Sequence, residues 1–216
     1  MSQDYQFYYW LAQLAIVSTL IPLITGIFRY RYFPAESRIL FFLLFSYLIL
    51  DTASYIIAQK GYSNLYMIRL NTLSEFIFLS LFFIKVFTRK IIHYAILSLL
   101  ILFIALAGFD LYLHGRNGID SLSTTIEAIL FMIYSLGAFY KLITRTTHVN
   151  ILSVPLFWFS SGILLYFSGD LILFIFEEFI VGKNINTSAA LWAIHSVMHT
   201  LYFILITVGF WKTKNI

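Results

Sequence analysis

Runs of twenty or more mostly apolar residues, broken only by short clusters of charge and turn formers, recur along the whole chain. A helix needs about 20 such residues to cross the hydrocarbon of a bilayer, and only helices or closed barrels satisfy their backbone groups there. Of the 216 residues, 61% are hydrophobic and 11% charged, against about 45–50% and about 25% in soluble domains. With a mean hydropathy of +0.88, this excess cannot be hidden in one core and must face lipid. Water-soluble enzymes, nucleic-acid binders and disordered regulators are excluded as main readings. The isoelectric point of 9.2 looks basic, but the net charge is only +4 and the positives sit in loops. That pattern carries orientation and is not a nucleic-acid footprint. The absence of cysteine removes disulfides, thiolate zinc sites, Cys nucleophiles and Cys-anchored lipids together.

The spacing predicts an all-α, polytopic protein, a single seven-helix transmembrane domain over residues 1–216. The spans fall at roughly 7–28, 38–59, 64–87, 92–113, 120–142, 151–179 and 187–211. Arg29, Arg31, Pro34 and Glu36 mark the first break, Lys60 and Gly61 the second, Arg89 and Lys90 the third. Pro155 suits the first turn of the sixth helix, and Glu177 and Glu178 an interfacial turn at its end. Ten Lys and Arg fall on one side (Arg29, Arg31, Arg38, Lys85, Arg89, Lys90, Lys141, Arg145, Lys212, Lys214) against four on the other (Lys60, Arg69, Arg116, Lys183). The excess predicts an outside N-terminus, a cytoplasmic C-terminus and residence in the cytoplasmic (inner) membrane. The first residues lack the basic region and cleavage site of a signal peptide, so the first span is expected to stay attached. Loops are short, so no soluble output domain is expected, and no internal repeat suggests a two-half transporter. Tyr5, Tyr8, Tyr9, Trp10, Tyr62, Tyr66 and Trp211 fall near span ends, as an aromatic belt would.

Ionisable residues inside spans carry the functional signal, because a central carboxylate costs at least about 2.5–3.5 kcal/mol on insertion scales. Asp51 lies in the second span, Glu75 in the third, Glu127 in the fifth, Asp170 in the sixth, and His195 and His199 in the seventh. With the predicted topology, all six fall between the midplane and the outer surface. Turn spacing groups them with neighbours: Asp51 with Ser54 and Tyr55, Asn71 with Glu75, Thr124 with Glu127, and Tyr166 with Asp170. The sequence thus predicts an outward-opening pocket built from Asp51, Ser54, Asn71, Glu75, Glu127 and Asp170 beside the two histidines. Glu127 and Asp170, nearer the surface, also admit a solvated reading.

His195 and His199 are one turn apart and suit two ligands of one metal, zinc or another divalent ion, completed by a carboxylate from another helix. A hydrogen-bonded network and a proton or ion path remain alternatives for the same residues. Ser160, Ser161, Gly162, Ser168 and Gly169 read as close helix packing. Arg69 is expected to snorkel or to hold an anionic group at the outer mouth. His93 reads as interfacial, and His114 and His148 as loop residues. No lysine lies deep in the last span, which disfavours a retinal pigment.

Two resemblances attach to these residues. Asn71-Thr72-Leu73-Ser74-Glu75-Phe76, Pro155-x-Phe157-Trp158 with Gly162, Tyr166 and Gly169, and Trp192-x-Ile194-His195-Ser196 together resemble a family of small uncharacterised bacterial seven-helix membrane proteins. That family brings no activity to carry over. The pair His195 and His199, with Ser54 on the second span and Glu75 on the third, also resembles the alkaline ceramidase and adiponectin-receptor-like hydrolase superfamily. It implies zinc on His195 and His199 and an intramembrane lipid hydrolase. The second span holds no histidine, so the third ligand would be Asp51 or Glu75, the same residues that would serve as general base. Three classes of function follow. They are a ligand- or ion-binding sensor that signals through a membrane partner, a metal-dependent lipid hydrolase, and a proton- or ion-coupled transporter. The implied partners are the bilayer, a small-molecule or lipid ligand and a partner protein, with no nucleic acid.

Overall fold

A computed structural model of the chain describes residues 10–11, 13–15, 17–115, 121–145, 150–180 and 185–213. The described residues are helical, with no strand among them. Seven α-helices follow in order: α1 (Leu20–Arg29), α2 (Ala35–Gln59), α3 (Leu65–Val86), α4 (Lys90–His114), α5 (Ser121–Arg145), α6 (Pro155–Ile180) and α7 (Ile185–Lys212). Six stretches among the described residues are long and apolar enough to cross a membrane: Gln13–Tyr32, Ala35–Gln59, Leu65–Val86, Lys90–Leu113, Leu122–Thr144 and Ala193–Lys212. The chain is an all-helical, multi-pass membrane protein.

Local chemistry sets the ends. Pro22 has no N–H to give Ser18, and the helical pattern of the first span is interrupted at Thr19. After α2 the chain closes with two bonds, Gly61 N to Ala58 O at 2.9 Å and Tyr62 N to Ile57 O at 3.2 Å. This is a Schellman turn, and Gly61 supplies the φ of +78° it requires. Gly115, at φ +68°, closes α4 by donating to the Leu111 carbonyl. The expected sixth span begins four residues late, because Ile151–Ser153 is a 3-10 turn, Val154 is extended, and Pro155 opens the helix at the position where its missing N–H is harmless. Helix α2 starts three residues earlier than expected, on Pro34 as N-cap with Glu36 in its first turn, where a carboxylate favours the helix dipole.

Residues 33–124 make one compact unit, and residues 1–32 with 125–216 another. In the first, α2 and α3 pair as an antiparallel hairpin, and α3 stacks on α4 through Phe76 and Phe103, with ring centroids 3.7 Å apart. Leu43, Leu44, Leu79, Phe82 and Phe83 fill its core. In the second, α6 and α7 pack most extensively, and small residues set their distance. A Cβ on Gly162 would meet Leu205 Cβ at 3.2 Å, and one on Gly209 would lie 2.2 Å from the Phe159 ring. Helix α5 joins through Phe131 against Phe167, and α1 through Arg29 stacked over Trp211. Ile91, Ile101, Leu102 and Phe109 along α4 stay exposed, the outward apolar face that lipid covers.

Candidate functional site

The α2–α3 hairpin carries a ladder of polar pairs. Ser54 accepts from Asn64 Nδ2 at 2.9 Å, Asp51 accepts from Asn71 Nδ2 at 2.9 Å, and Ser74 donates to Ser46 at 2.9 Å. Deeper in the same seam, the Tyr47 hydroxyl donates to the Glu75 carboxylate. Tyr47, Asp51 and Ser54 repeat at four and three residues and so form one stripe, faced by Asn64 at the N-cap of α3 and by Asn71 and Glu75 on it. The sequence-predicted Asp51, Ser54, Asn71 and Glu75 are brought together here. The same contacts tie up the two carboxylates that a hydrolase would use as base or third ligand. The Asn71 amide oxygen is buried without a hydrogen-bond partner among the described residues.

Between Asn64 and Asn71 in the chain, Arg69 does not snorkel. Its Nη2 lies 2.9 Å from Asp110 Oδ2 on α4, and the two side chains are only 9% and 15% exposed. Asp110 lies within the fourth span, and sequence reasoning passed over it. The signal was available: Arg69 is near the start of α3 and Asp110 near the end of α4, so an antiparallel connection at Arg89 sets them level. A buried guanidinium so placed requires a carboxylate partner.

The second cluster lies on α6 and α7. Asp170 is fully buried, and its Oδ2 sits 2.7 Å from His195 Nδ1. The remaining oxygen, Oδ1, has no hydrogen-bond partner among the described residues. His199, one turn along α7, is buried, stacks on Tyr166 with centroids 5.4 Å apart and meets the Phe203 ring at 4.3 Å, tilted by 42°. Tyr166 in turn stacks on Tyr202 at 5.4 Å, and its ring centroid is 5.8 Å from that of His195. Two tyrosines thus wall the polar centre, and Tyr202 is a residue that sequence reading missed. The side chain of His195 is 22% exposed, whereas that of Asp170 is 0% exposed. Gly169, beside Asp170, lets α7 approach; a Cβ there would press on the Met198 side chain at 2.7 Å.

The solvated reading of Glu127 and Asp170 does not hold. Glu127 is 2% exposed and Asp170 0%. Thr124, one turn before Glu127, is also buried, so this stripe of α5 faces inward. The His93 Nε2–H donates to the Phe87 carbonyl, 2.6 Å away, and closes the α3–α4 turn. His148 and Glu177 and Glu178 as side chains lie outside what is described, as do Tyr5, Tyr8, Tyr9 and the side chains of His114 and Trp192. Of the expected belt, Trp10, Tyr62, Tyr66 and Trp211 are exposed.

The His195 and His199 ring centroids are 5.6 Å apart, inclined by 32°, and Asp170 orients the His195 ring through one of its two nitrogens. Among the described residues, no group of three or more His, Asp or Glu is placed to hold an ion. Compared with known families, curated proteins and solved structures, the chain matches no family model, no curated protein and no solved structure.

Proposed function

We propose that this protein is a ligand-binding sensor of the cytoplasmic membrane, with seven spans, its N-terminus outside and its C-terminus in the cytoplasm. The ligand is small and polar, carries an N–H or O–H donor, and enters past His195 to reach Asp170. The binding state passes to a membrane partner through α6 and α7. One observation carries the reading: a fully buried carboxylate uses one oxygen on His195 while its other oxygen has no partner among the described residues. A buried anion left short of donors is unfavourable by several kcal/mol, so a ligand that supplies one is held tightly. The charge arrangement, ten Lys and Arg against four, supports the orientation.

The Asp170–His195 pair also supports a second reading, in which it passes a proton, since carboxylate–histidine pairs in membranes are a usual relay. The metal-dependent hydrolase has less support, because Asp51 and Glu75 are engaged within α2–α3. Thermal melting in mild detergent against a panel of small amines and polyols separates the classes. A ligand at a hundredfold excess over its dissociation constant stabilises the wild type by about 2.7 kcal/mol and leaves Asp170→Asn unmoved. Proton flux in liposomes that Asp170→Asn abolishes, with no ligand shifting the wild type, favours the relay. One metal per chain, lost in His195→Ala/His199→Ala, restores the hydrolase.

A further inference from the structure

An open groove of about 370 Å³ lies at the end of α1 against the end of α7, and none of the residues discussed above as a ligand site contributes to it. Two guanidinium groups line it. Arg29 is stacked over the Trp211 ring at 4.1 Å, and Arg31 lies 4.6 Å from the Tyr32 ring. Among the described residues, neither arginine has a carboxylate partner. The wall toward the middle of the span is apolar: Ile24 is 52% exposed and Phe28 is 78% exposed. An arginine that merely snorkels needs neither a ring to hold its plane nor a second arginine lining the same groove.

We infer that this groove binds the headgroup of an anionic phospholipid. Its phosphodiester sits between Arg29 and Arg31, and an acyl chain runs along Ile24 and Phe28. Charge complementarity selects the occupant. Planar guanidinium forks match phosphate oxygens two at a time, stacking on Trp211 fixes one fork before the lipid arrives, and an apolar wall beside a basic pocket between spans suits a lipid better than a soluble anion. A zwitterionic lipid brings its own cation to the same place and is disfavoured.

The site contains its own reporter. With Trp10, Trp158 and Trp192 replaced by Phe, Trp211 is the sole tryptophan, and its quenching by brominated phosphatidylglycerol is compared with that by brominated phosphatidylcholine in mixed vesicles. The expected result is half-maximal quenching at a several-fold lower fraction of the anionic lipid. Arg29→Gln/Arg31→Gln brings the two lipids level, and Arg29→Lys/Arg31→Lys loses most of the preference although the charge is kept. Equal quenching by both lipids in the wild type overturns the site, and so does a preference that the Lys pair retains in full, which is attraction to charge alone. Loss of the preference in 10 mM inorganic phosphate points to a soluble anion and overturns the lipid assignment. Should the triple Phe background fail to fold, native mass spectrometry of the unmodified chain gives the same decision. Phosphatidylglycerol adducts are expected to outlast phosphatidylcholine adducts, and the Gln pair to erase the difference; adducts indifferent to the Gln pair overturn the site.

Discussion

The α2–α3 hairpin and the α6–α7 pair both bury carboxylates among apolar helices, and they do so differently. Along α2–α3 the polar side chains face one another in pairs, Ser54 with Asn64, Asp51 with Asn71, Tyr47 with Glu75, so that each helix supplies what the other needs. The oxygens left over there among the described residues are neutral, the Asn71 amide and the Ser37 and Ser80 hydroxyls. On α6–α7 the backbones close to glycine distance, yet the oxygens left over among the described residues include, beside the Ser160 hydroxyl, one of the Asp170 carboxylate. Leaving a neutral acceptor dry is unfavourable by about 1–3 kcal/mol, and leaving an anion so is far worse. A ladder of completed pairs fixes register and packing. In the proposed sensor, the Asp170 carboxylate is where stability is given up for binding.

The contrast yields predictions of graded size. Breaking the Arg69–Asp110 pair is the harshest, because Asp110→Ala leaves a buried guanidinium. It should destabilise by about 3–5 kcal/mol, measured by equilibrium unfolding in mixed micelles, and Arg69→Met/Asp110→Leu should recover most of the loss. Gly209→Ala drives a methyl into the Phe159 ring and should lower stability by about 1–3 kcal/mol. Gly169→Ala, which meets only the flexible Met198 side chain, should lower it less, and the reverse order would show that glycine contact does not set the α6–α7 distance. Tyr47→Phe should remove about 0.6–1.7 kcal/mol, the range for hydrogen bonds between membrane helices, and a double-mutant cycle with Glu75→Gln should show coupling. A Tyr47→Phe variant that melts as wild type but loses ligand response would move the functional site to the hairpin. Smallest in its effect on stability is single-cysteine labelling, which the cysteine-free chain allows directly. Cysteine at Tyr62 should react with an impermeant reagent in intact cells and cysteine at Arg31 should not; the opposite pattern reverses the orientation.

Much of this arrangement was legible in the residues. Hydropathy located the helices because lipid imposes one length and one composition on them, while the ends moved where a local device decided, as with the 3-10 turn before Pro155 and the Schellman turn at Gly61. Turn spacing grouped Asp51 with Ser54, Asn71 with Glu75 and His195 with His199, but it works only within one helix. Partners across helices follow a different rule. Asp51 and Asn71 are each ten residues from Gly61, and Tyr47 and Glu75 each fourteen, so a tight turn at Gly61 sets both pairs level. The same counting links Arg69 to Asp110. Tyr47, Tyr202 and Asp110 escaped because two are aromatic residues in an aromatic-rich chain and the third resembles an interfacial charge. Which carboxylate would keep an oxygen without a partner depends on side-chain directions at one helix contact, and no pattern in the sequence encodes that.

The comparison rests on Asp170, and its most direct test is the melting temperature of Asp170→Asn against wild type in the same mild detergent without ligand. The account predicts a temperature equal to or above that of wild type, because the substitution discharges a buried carboxylate whose second oxygen lacks a partner among the described residues. A fall of several degrees, as large as that of Tyr47→Phe or larger, would contradict it and make the Asp170–His195 pair one more rung that holds helices together.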